Sequence, residues 1–406
     1  MEKGPLLEGG QQLIQQCKKI YPPSTIGIIG GGQLGRMLSF EAKRMGYRVA
    51  VLDPNMDAPA VQVSDYHVQG SYHDLEAFQK LASMSDVLTY EFEHLNADLL
   101  LILEKEGHSV FPSANTLKTI QNKFVQKNFL TNIGIAVPDF KMIRTCRELE
   151  SFYAAHNNRA VVKTCTGGYD GKGNYILDEQ SALMECYESY NGIEIMAEAY
   201  VDFEKEVSIV VAKSASETIL YPISENTHKK SILIKSLIPA DISDEVRDSV
   251  CTMATKIVDA LNDYGIFCIE FFVDRDSRVF VNEIAPRPHN TGHYSIEACI
   301  TSQFEQLIRI LCSMPLGSPE MRMPAAMYNI LGHEELDGEY VTRGIEEVLG
   351  IRDCHFHLYG KGVGGHLKKL GHITALDADI RHANEKAKKA VKNFEIKSGG
   401  LINAKA

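Results

Sequence analysis

The chain has 406 residues, 44% of them hydrophobic and 23% charged, which is enough apolar material for two or three domains with separate cores. A formal net charge of −11 argues against broad binding to nucleic acid or to an acidic membrane surface, and leaves room only for a local basic pocket. There is no apolar run near the length of a membrane span and no charged-then-apolar secretory leader, and the nine cysteines include no CxxC pair, so the chain is expected to be soluble, reduced and cytoplasmic.

Residues 1–23 read as an extension ending at Tyr21-Pro22-Pro23. Thr25–Ile29 is a predicted strand. Beyond Gly30-Gly31-Gly32, the apolar Leu34, Met37, Leu38 and Met45 recur at helical spacing until Gly46. Arg48–Leu52 is the next strand and ends at Asp53, which makes a βαβ unit with a right-handed crossover, and Asp86–Glu91 is a later strand of the same sheet. Gly30-x-Gly32-x-x-Gly35 followed by Asp53 fits a dinucleotide fingerprint. It fits equally a tight turn that lets strand and helix pack closely, or a loop facing a phosphorylated substrate, and by itself it does not choose among the three.

One helix is predicted from Asn115 to about Asn132, closed by Gly134 with Pro138 beyond. The pattern then changes. Ala160–Thr164, Ile193–Tyr200, Glu206–Ala212, Ile266–Asp274 and Arg278–Ile284 are β-rich, with helical stretches at Ser243–Asn262 and Ser295–Cys312. This predicts an α+β body of mostly antiparallel hairpins, one turning at Asp274–Arg278. Pro315, Pro319 and Pro324 mark a further boundary, and a Lys/Ala-rich helix (Ala383–Asn393) closes the chain. The expected units are 24–114, 115–314 and 315–406.

The second glycine motif follows a strand that ends at Lys163: Gly167-Gly168-Tyr169-Asp170-Gly171-Lys172-Gly173. Glycine amides and the Lys172 ammonium suit a loop that covers polyphosphate, although no GK[ST] of a Walker loop is present and a bare hairpin tip is the plainer alternative. Downstream, Glu270 in IEFFVD should face Glu283 in VNEIAPRPHN across a hairpin. Two acids on neighbouring strands, with Asn282 beside one, suit Mg²⁺ shared with phosphate oxygens, because a buried pair without a cation would repel. Arg287, His289 and Asn290 come just past that strand, where they could hold a small oxyanion or a transferring phosphoryl group.

Taken together, TIGIIGGGQLGRML, VVKTCTGGYDGKGNYIL, YPISENTHKKSILIKSLIPA, FCIEFF, VNEIAPRPHNTGHYSIEA, SQFEQ and KKLGHIT resemble the carboxyaminoimidazole ribonucleotide synthases, an ATP-grasp family, over roughly residues 24–375. The resemblance implies an ATP-grasp fold (α/β and α+β) with a Rossmann-like N-terminal domain and a small β-rich C-terminal domain. It also implies a ligase that uses ATP and Mg²⁺ to join bicarbonate to the amine of aminoimidazole ribonucleotide through carboxyphosphate.

Carried over by motif, Lys123 and Lys163 resemble the lysines on the ATP phosphates, and Gly168, Tyr169, Asp170, Gly171, Lys172, Gly173 and Asn174 resemble the phosphate loop. Glu198, Ala199, Tyr200 and Val201 resemble the hinge that reads adenine through its backbone, with Glu206 for the ribose and His228, Asn282 and Glu283 also at the nucleotide. Glu270 and Glu283 resemble the metal ligands, and Arg287, His289, Asn290 and Lys172 the catalytic set. Gln33, Leu34, Glu93, Tyr169, Asp170, Asn290 and a basic cluster of Lys361, Lys368 and Lys369 are implied for the ribonucleotide. GVGGHL, between Lys361 and Lys368, departs from relatives that carry basic residues there.

The resemblance also implies a homodimer that passes product to a mutase on a separate chain, with no nucleic acid or membrane partner. Three other readings compete. A formate-dependent glycinamide ribonucleotide ligase of the same fold lacks the Gly-Gly-Tyr-Asp run. A nicotinamide oxidoreductase leaves Glu270, Glu283 and Lys172 unexplained. A non-catalytic binding protein would not need the full set of lysines and carboxylates.

Overall fold

The computed structural model describes residues 18–168 and 173–399. The first sheet is built from β1 (Thr25–Ile29), β2 (Arg48–Leu52), β3 (Tyr66–Val68) and β4 (Val87–Tyr90), all parallel, in the order β3-β2-β1-β4. Its central strands are almost wholly apolar because helices cover both faces: α1 (Gln33–Arg44), α2 (Leu75–Ser83) and α3 (Ala97–Lys105).

The single helix expected over 115–132 is two helices, α4 (Ala114–Gln121) and α5 (Lys123–Asn132). Asn122 takes extended angles between them and its side chain accepts from the Val125 amide, so it ends one helix and caps the next. The Lys123 amide turns instead to the Cys165 carbonyl at 2.7 Å.

A smaller lobe follows, an antiparallel sheet of β5 (Phe140–Ile143), β6 (Ala160–Thr164), β7 (Asn174–Leu177) and β8 (Ile195–Ala199) in the order β5-β8-β6-β7. One face packs on α6 (Cys146–Ala155) and α7 (Leu183–Ser189). The second glycine motif joins β6 to β7, and its residues Tyr169, Asp170, Gly171 and Lys172 lie outside the described residues.

The largest sheet begins with β9 (Phe203–Lys213), β10 (Thr218–Leu220), β11 (Ser224–Lys229) and β12 (Ile232–Ile238). After α8 (Asp244–Leu261) come β13 (Gly265–Asp274) and β14 (Val279–Ala285), a hairpin whose turn is closed by the Asp274 carboxylate accepting from the Asp276 and Arg278 amides. The helix expected over 295–312 is also broken, into α9 (Ser295–Ala298) and α10 (Gln303–Leu311), because Cys299 is extended and Ser302 caps α10 through the Glu305 amide. The chain then adds β15 (Ala325–Leu331), β16 (Tyr340–Arg343), α11 (Ile345–Leu349), β17 (Cys354–Leu358), β18 (Lys369–Leu376), α12 (Ile380–Asn393) and β19 (Glu395–Ser398).

Strands β15, β18 and β17 do not form a sheet of their own. They continue the large one, in the order β14-β13-β9-β11-β12-β15-β18-β17, with β12 pairing β15 from Lys235↔Tyr328 to Ile238↔Ala325. A single hydrogen-bonded ladder therefore runs from the Glu270/Glu283 hairpin to Lys369. Among the described residues no helix is long and apolar enough to cross a membrane.

Candidate active site

The amides of the first glycine loop already have anions. The Gly31 amide donates to Asp53 at 2.7 Å, the Gly35 amide to Glu91 at 2.7 Å, and the Gly32 amide also to Glu91. Two of the protein's own carboxylates thus fill the start of α1, where a dinucleotide reading needs a pyrophosphate. Burial raises the Glu91 carboxyl above its ordinary value, against the pull of the two amides and of the Arg287 and Lys361 cations. Gln33 opens α1, half-buried, but the Leu34 side chain is 6% exposed and belongs to the core.

The lysines and acids meet between the small lobe and the large sheet. Lys123 Nζ donates to Glu283 Oε2 at 2.8 Å, and Lys163 Nζ donates to Glu198 Oε2 at 2.8 Å and to Asn282 Oδ1 at 3.4 Å. Glu270 and Glu283 are direct cross-strand partners. The register slips beside them, so that Phe271 opposes Val281 and Asn282 has no partner. This bulge allows Asn282 to reach Lys163 while its neighbour Glu283 reaches Lys123. Lys123 holds the Glu283 carboxyl well below the usual range, while burial, then Glu283, pushes Glu270 up. One carboxylate is thus set to stay charged and the other waits for a cation. The pair fits a hard divalent ion that takes its remaining ligands from phosphate oxygens and water. Among the described residues no group of three or more His, Cys, Asp or Glu forms a self-sufficient metal site.

At the hinge, β8 ends at Ala199, whose amide is spent on the Asp139 carbonyl at 2.8 Å. The Glu198 backbone is paired on both sides, to Phe140 and Val161, and its buried side chain is a counter-ion to Lys163. Within the expected hinge at 198–201, Glu198 and Ala199 belong to β8 and irregular backbone starts at Tyr200 and Val201. The Arg159 guanidinium stacks on the Tyr200 ring 3.5 Å from its centroid. His228 Nδ1 and Glu206 Oε2 lie 2.7 Å apart on neighbouring strands. Burial lowers the imidazole's affinity for a proton, but Glu206 and Glu270 raise it further, for a net upward shift.

Arg287 grips Glu93 with two prongs, Nε to Oε2 at 2.5 Å and Nη2 to Oε1 at 3.0 Å. Burial works to raise the Glu93 carboxyl, but Arg287 overrides it and holds it at about 2. His289 Nδ1 is 3.0 Å from Thr291 Oγ1 and 3.7 Å from Glu270 Oε1. Burial, with the Arg287 and Lys369 cations, pushes His289 down to about 3, so the imidazole is neutral. Asn290 is 6% exposed, and neither end of its amide has a partner among the described residues, which marks an unfilled capacity to bind.

The basic cluster is split. Lys369 is one of the cations acting on Glu270, His289 and His228, and Lys361 acts on Glu91, but Lys368 is exposed and donates to the Val363 carbonyl at 2.6 Å. Lys368 lies on the turn before β18 and Lys369 opens the strand, so the two ammonium groups have different surroundings.

Sequence reasoning passed over Glu91, Lys127 and Gln303. Glu91 carries a signal in YEFE, two residues before Glu93, and Lys127 follows Lys123 by one helical turn. The Gln303 amide accepts from the His289 amide at 3.0 Å and donates to the His289 carbonyl at 2.8 Å, which pins that residue from both sides.

Lys123 from α5 and Lys163 from the small lobe, set against the paired acids Glu270 and Glu283 of the large sheet, define a ligase of the ATP-grasp class. Residues 128–304 match the ATP-grasp domain, 24–121 the ribonucleotide synthetase preATP-grasp domain, and 325–386 the phosphoribosylaminoimidazole carboxylase C-terminal domain. The chain belongs to the family of N5-carboxyaminoimidazole ribonucleotide synthases, ligases of purine biosynthesis. The Bacillus subtilis (strain 168) synthase is 39% identical over 357 residues, covering 87% of this chain and 92% of that one. The Thermotoga maritima synthetase structure has 41% identity and a TM-score of 0.84, over 93% of this chain and 100% of that one. The Aspergillus clavatus synthase, crystallised with ADP and 5-aminoimidazole ribonucleotide, has 31% identity and a TM-score of 0.85, over 92% and 99%.

Proposed function

We propose that this chain carboxylates the amine of 5-aminoimidazole ribonucleotide with bicarbonate and ATP, giving carboxyaminoimidazole ribonucleotide, ADP and phosphate. The observation that carries the reading is the linked set of Lys123/Lys163 and Glu270/Glu283 with neutral His289 beside Glu270, Arg287 acting on that imidazole, and an Asn290 amide that has no partner among the described residues. The first group suits a polyphosphate and the second a small oxyanion beside it.

On this reading Lys123 and Lys163, with the 168–174 loop, hold the phosphates. The hinge at 198–201 takes adenine, and Glu206 with His228 takes the ribose. A magnesium ion on Glu270 and Glu283 supplies charge neutralisation for the β- and γ-phosphates. Arg287 and Asn290 orient bicarbonate, whose oxygen bonds to the γ-phosphorus as ADP leaves. The substrate amine then bonds to the carboxyl carbon as phosphate departs. His289 donates no proton at neutral pH; it is placed to hold an oxygen or accept a proton from the amine. Lys361 and Lys369, with Gln33 and Glu93, bound the ribonucleotide site. The units 24–114, 115–314 and 315–406 are the working domains of a cytoplasmic homodimer whose product goes to a mutase on another chain.

A side-by-side ADP-release assay tests the substrate. Bicarbonate with aminoimidazole ribonucleotide is expected to drive release, and formate with glycinamide ribonucleotide to give background. The reverse result would overturn the substrate and leave the ATP-grasp class standing.

A further inference from the structure

Lys127 is the most deeply buried lysine of the described chain, 1% exposed, although it is not among the residues assigned above to a ligand. Its Nζ donates to the Val281 carbonyl on β14 at 3.0 Å and lies 3.4 Å from Glu198 Oε1 on β8. The other oxygen of Glu198 holds Lys163 at 2.8 Å. One buried carboxylate is therefore shared by two ammonium groups, and Lys127 connects the small lobe to the large sheet. Glu198 is 2% exposed and its Oε1 has no hydrogen-bond partner among the described residues; of the cations acting on it, Lys127 and Lys163 are the ones in ion-pair contact, and Lys123 contributes less. Burial pulls Lys127 down to about 8, against the pull of Glu198. The cation is retained at neutral pH, at a cost in desolvation that a purely packing role would avoid by using Met or Leu.

The count of charges suggests why. Lys163 cannot serve a nucleotide phosphate while it is clamped on Glu198. If Lys163 were the only partner, its departure would strand a bare carboxylate in the interior, a strongly unfavourable state. With Lys127 in place, Glu198 keeps a counter-ion after Lys163 moves. We propose that Lys127 is a positioning residue for nucleotide binding: it keeps Glu198 paired so that Lys163 is free to pass from Glu198 to a nucleotide phosphate. This rests on the reading of Lys163 as a phosphate ligand.

Calorimetric titration of the full chain with Mg·ADP and with Mg·β,γ-imido-ATP tests it. Lys127→Met and Lys127→Gln are each expected to weaken binding by about tenfold or more, because the lone Glu198–Lys163 pair must be broken. The double variant K127M/E198Q removes both side-chain charges, keeps the residue-198 backbone that serves the hinge, leaves Lys163 unclamped, and is expected to recover most of the affinity lost in the single variants. A packing defect would not be repaired by the second substitution. Parent-like binding by both single variants, or a double variant as weak as the singles, overturns the proposal. If neither single variant folds, weak binding by a folded double variant overturns it and near-parent binding supports it. Lys163→Met separates the two levels: unchanged affinity there would sink the reading of Lys163 itself, whereas a loss there with parent-like Lys127 variants sinks only this inference.

Discussion

Arg287 and Glu93, 194 residues apart in the chain, neutralise each other in a two-pronged ion pair that joins the end of the first sheet to the loop after β14. Each side chain is mostly shielded from solvent, so each depends on the other. Glu93→Ala leaves an unpaired guanidinium and is expected to cost about 3–5 kcal/mol of stability. Arg287→Lys keeps the charge but loses the fork, and carboxylation should fall by about a hundredfold while Mg·ADP affinity stays within about threefold. Thermal unfolding and a coupled ADP assay with parallel titration read both effects. An Arg287→Lys enzyme with parent turnover would remove Arg287 from the oxyanion site.

The carboxylate pair gives a second test. Glu270→Gln and Glu283→Gln keep shape and remove one charge each, and either is expected to lower turnover by about a hundredfold or more with the fold intact. The two should differ in stability. Glu283→Gln strands Lys123, which donates to it at 2.8 Å, whereas Glu270→Gln relieves a repulsion. The melting temperature without metal should therefore fall for Glu283→Gln and hold or rise for Glu270→Gln. Near-normal turnover of both at saturating Mg²⁺ would end the metal assignment.

Glu91 accepts from the Gly32 and Gly35 amides, and Glu91→Ala would leave both donors without their acceptor at the start of α1. At about 1–3 kcal/mol for each buried donor left unmade, the variant should be clearly less stable by urea unfolding. Because the loop amides are already occupied, the parent chain should show no change in NADPH fluorescence on mixing. A saturable change would revive the dinucleotide reading.

Acid sensitivity should come from the interior. His293 and His372 are 0% exposed with ring centroids 4.7 Å apart, and burial holds both well below the ordinary value of 6.5. Below that pH the unfolded chain takes up protons that the folded chain refuses, so their contribution is present above 6.5 and is lost as pH falls. Stability should therefore decline from pH 7 to pH 5. His372→Asn keeps an acceptor for the Tyr359 hydroxyl, which lies 2.9 Å from His372 Nδ1, and should flatten that slope. An unchanged slope would assign the acid sensitivity elsewhere.

Local pattern made several elements legible. β1, β2 and β6 follow directly from short apolar runs between glycine and polar punctuation, and the Glu270↔Glu283 pairing follows from the hairpin centred on Asp274–Arg278. What stayed hidden depended on single residues or on distant partners. The break at Asn122 is one side-chain cap inside a helical pattern. The bulge at Asn282 leaves no compositional trace, yet it determines which of two adjacent side chains meets which lysine. Lys368 and Lys369 look alike in sequence, yet the first is exposed on the turn before β18 and the second is half-buried at the strand's start. Glu91 and Gln303 act on glycines and a histidine far from them or around a turn, so their partners appear only once the chain is folded.

The ladder that runs from β14 through β12 and β15 to β18 has a consequence for engineering. Its C-terminal strands cannot be exchanged as a cassette at the proline-rich junction. Cutting before Ala325 would uncover the whole outer side of β12, from Lys235 to Ile238, as an open edge ready to recruit another chain. A graft from a relative must instead reproduce the β12–β15 register residue for residue. Variation in what the enzyme accepts is correspondingly easier to introduce in the β17–β18 connection that carries Lys361 than anywhere along the strands themselves.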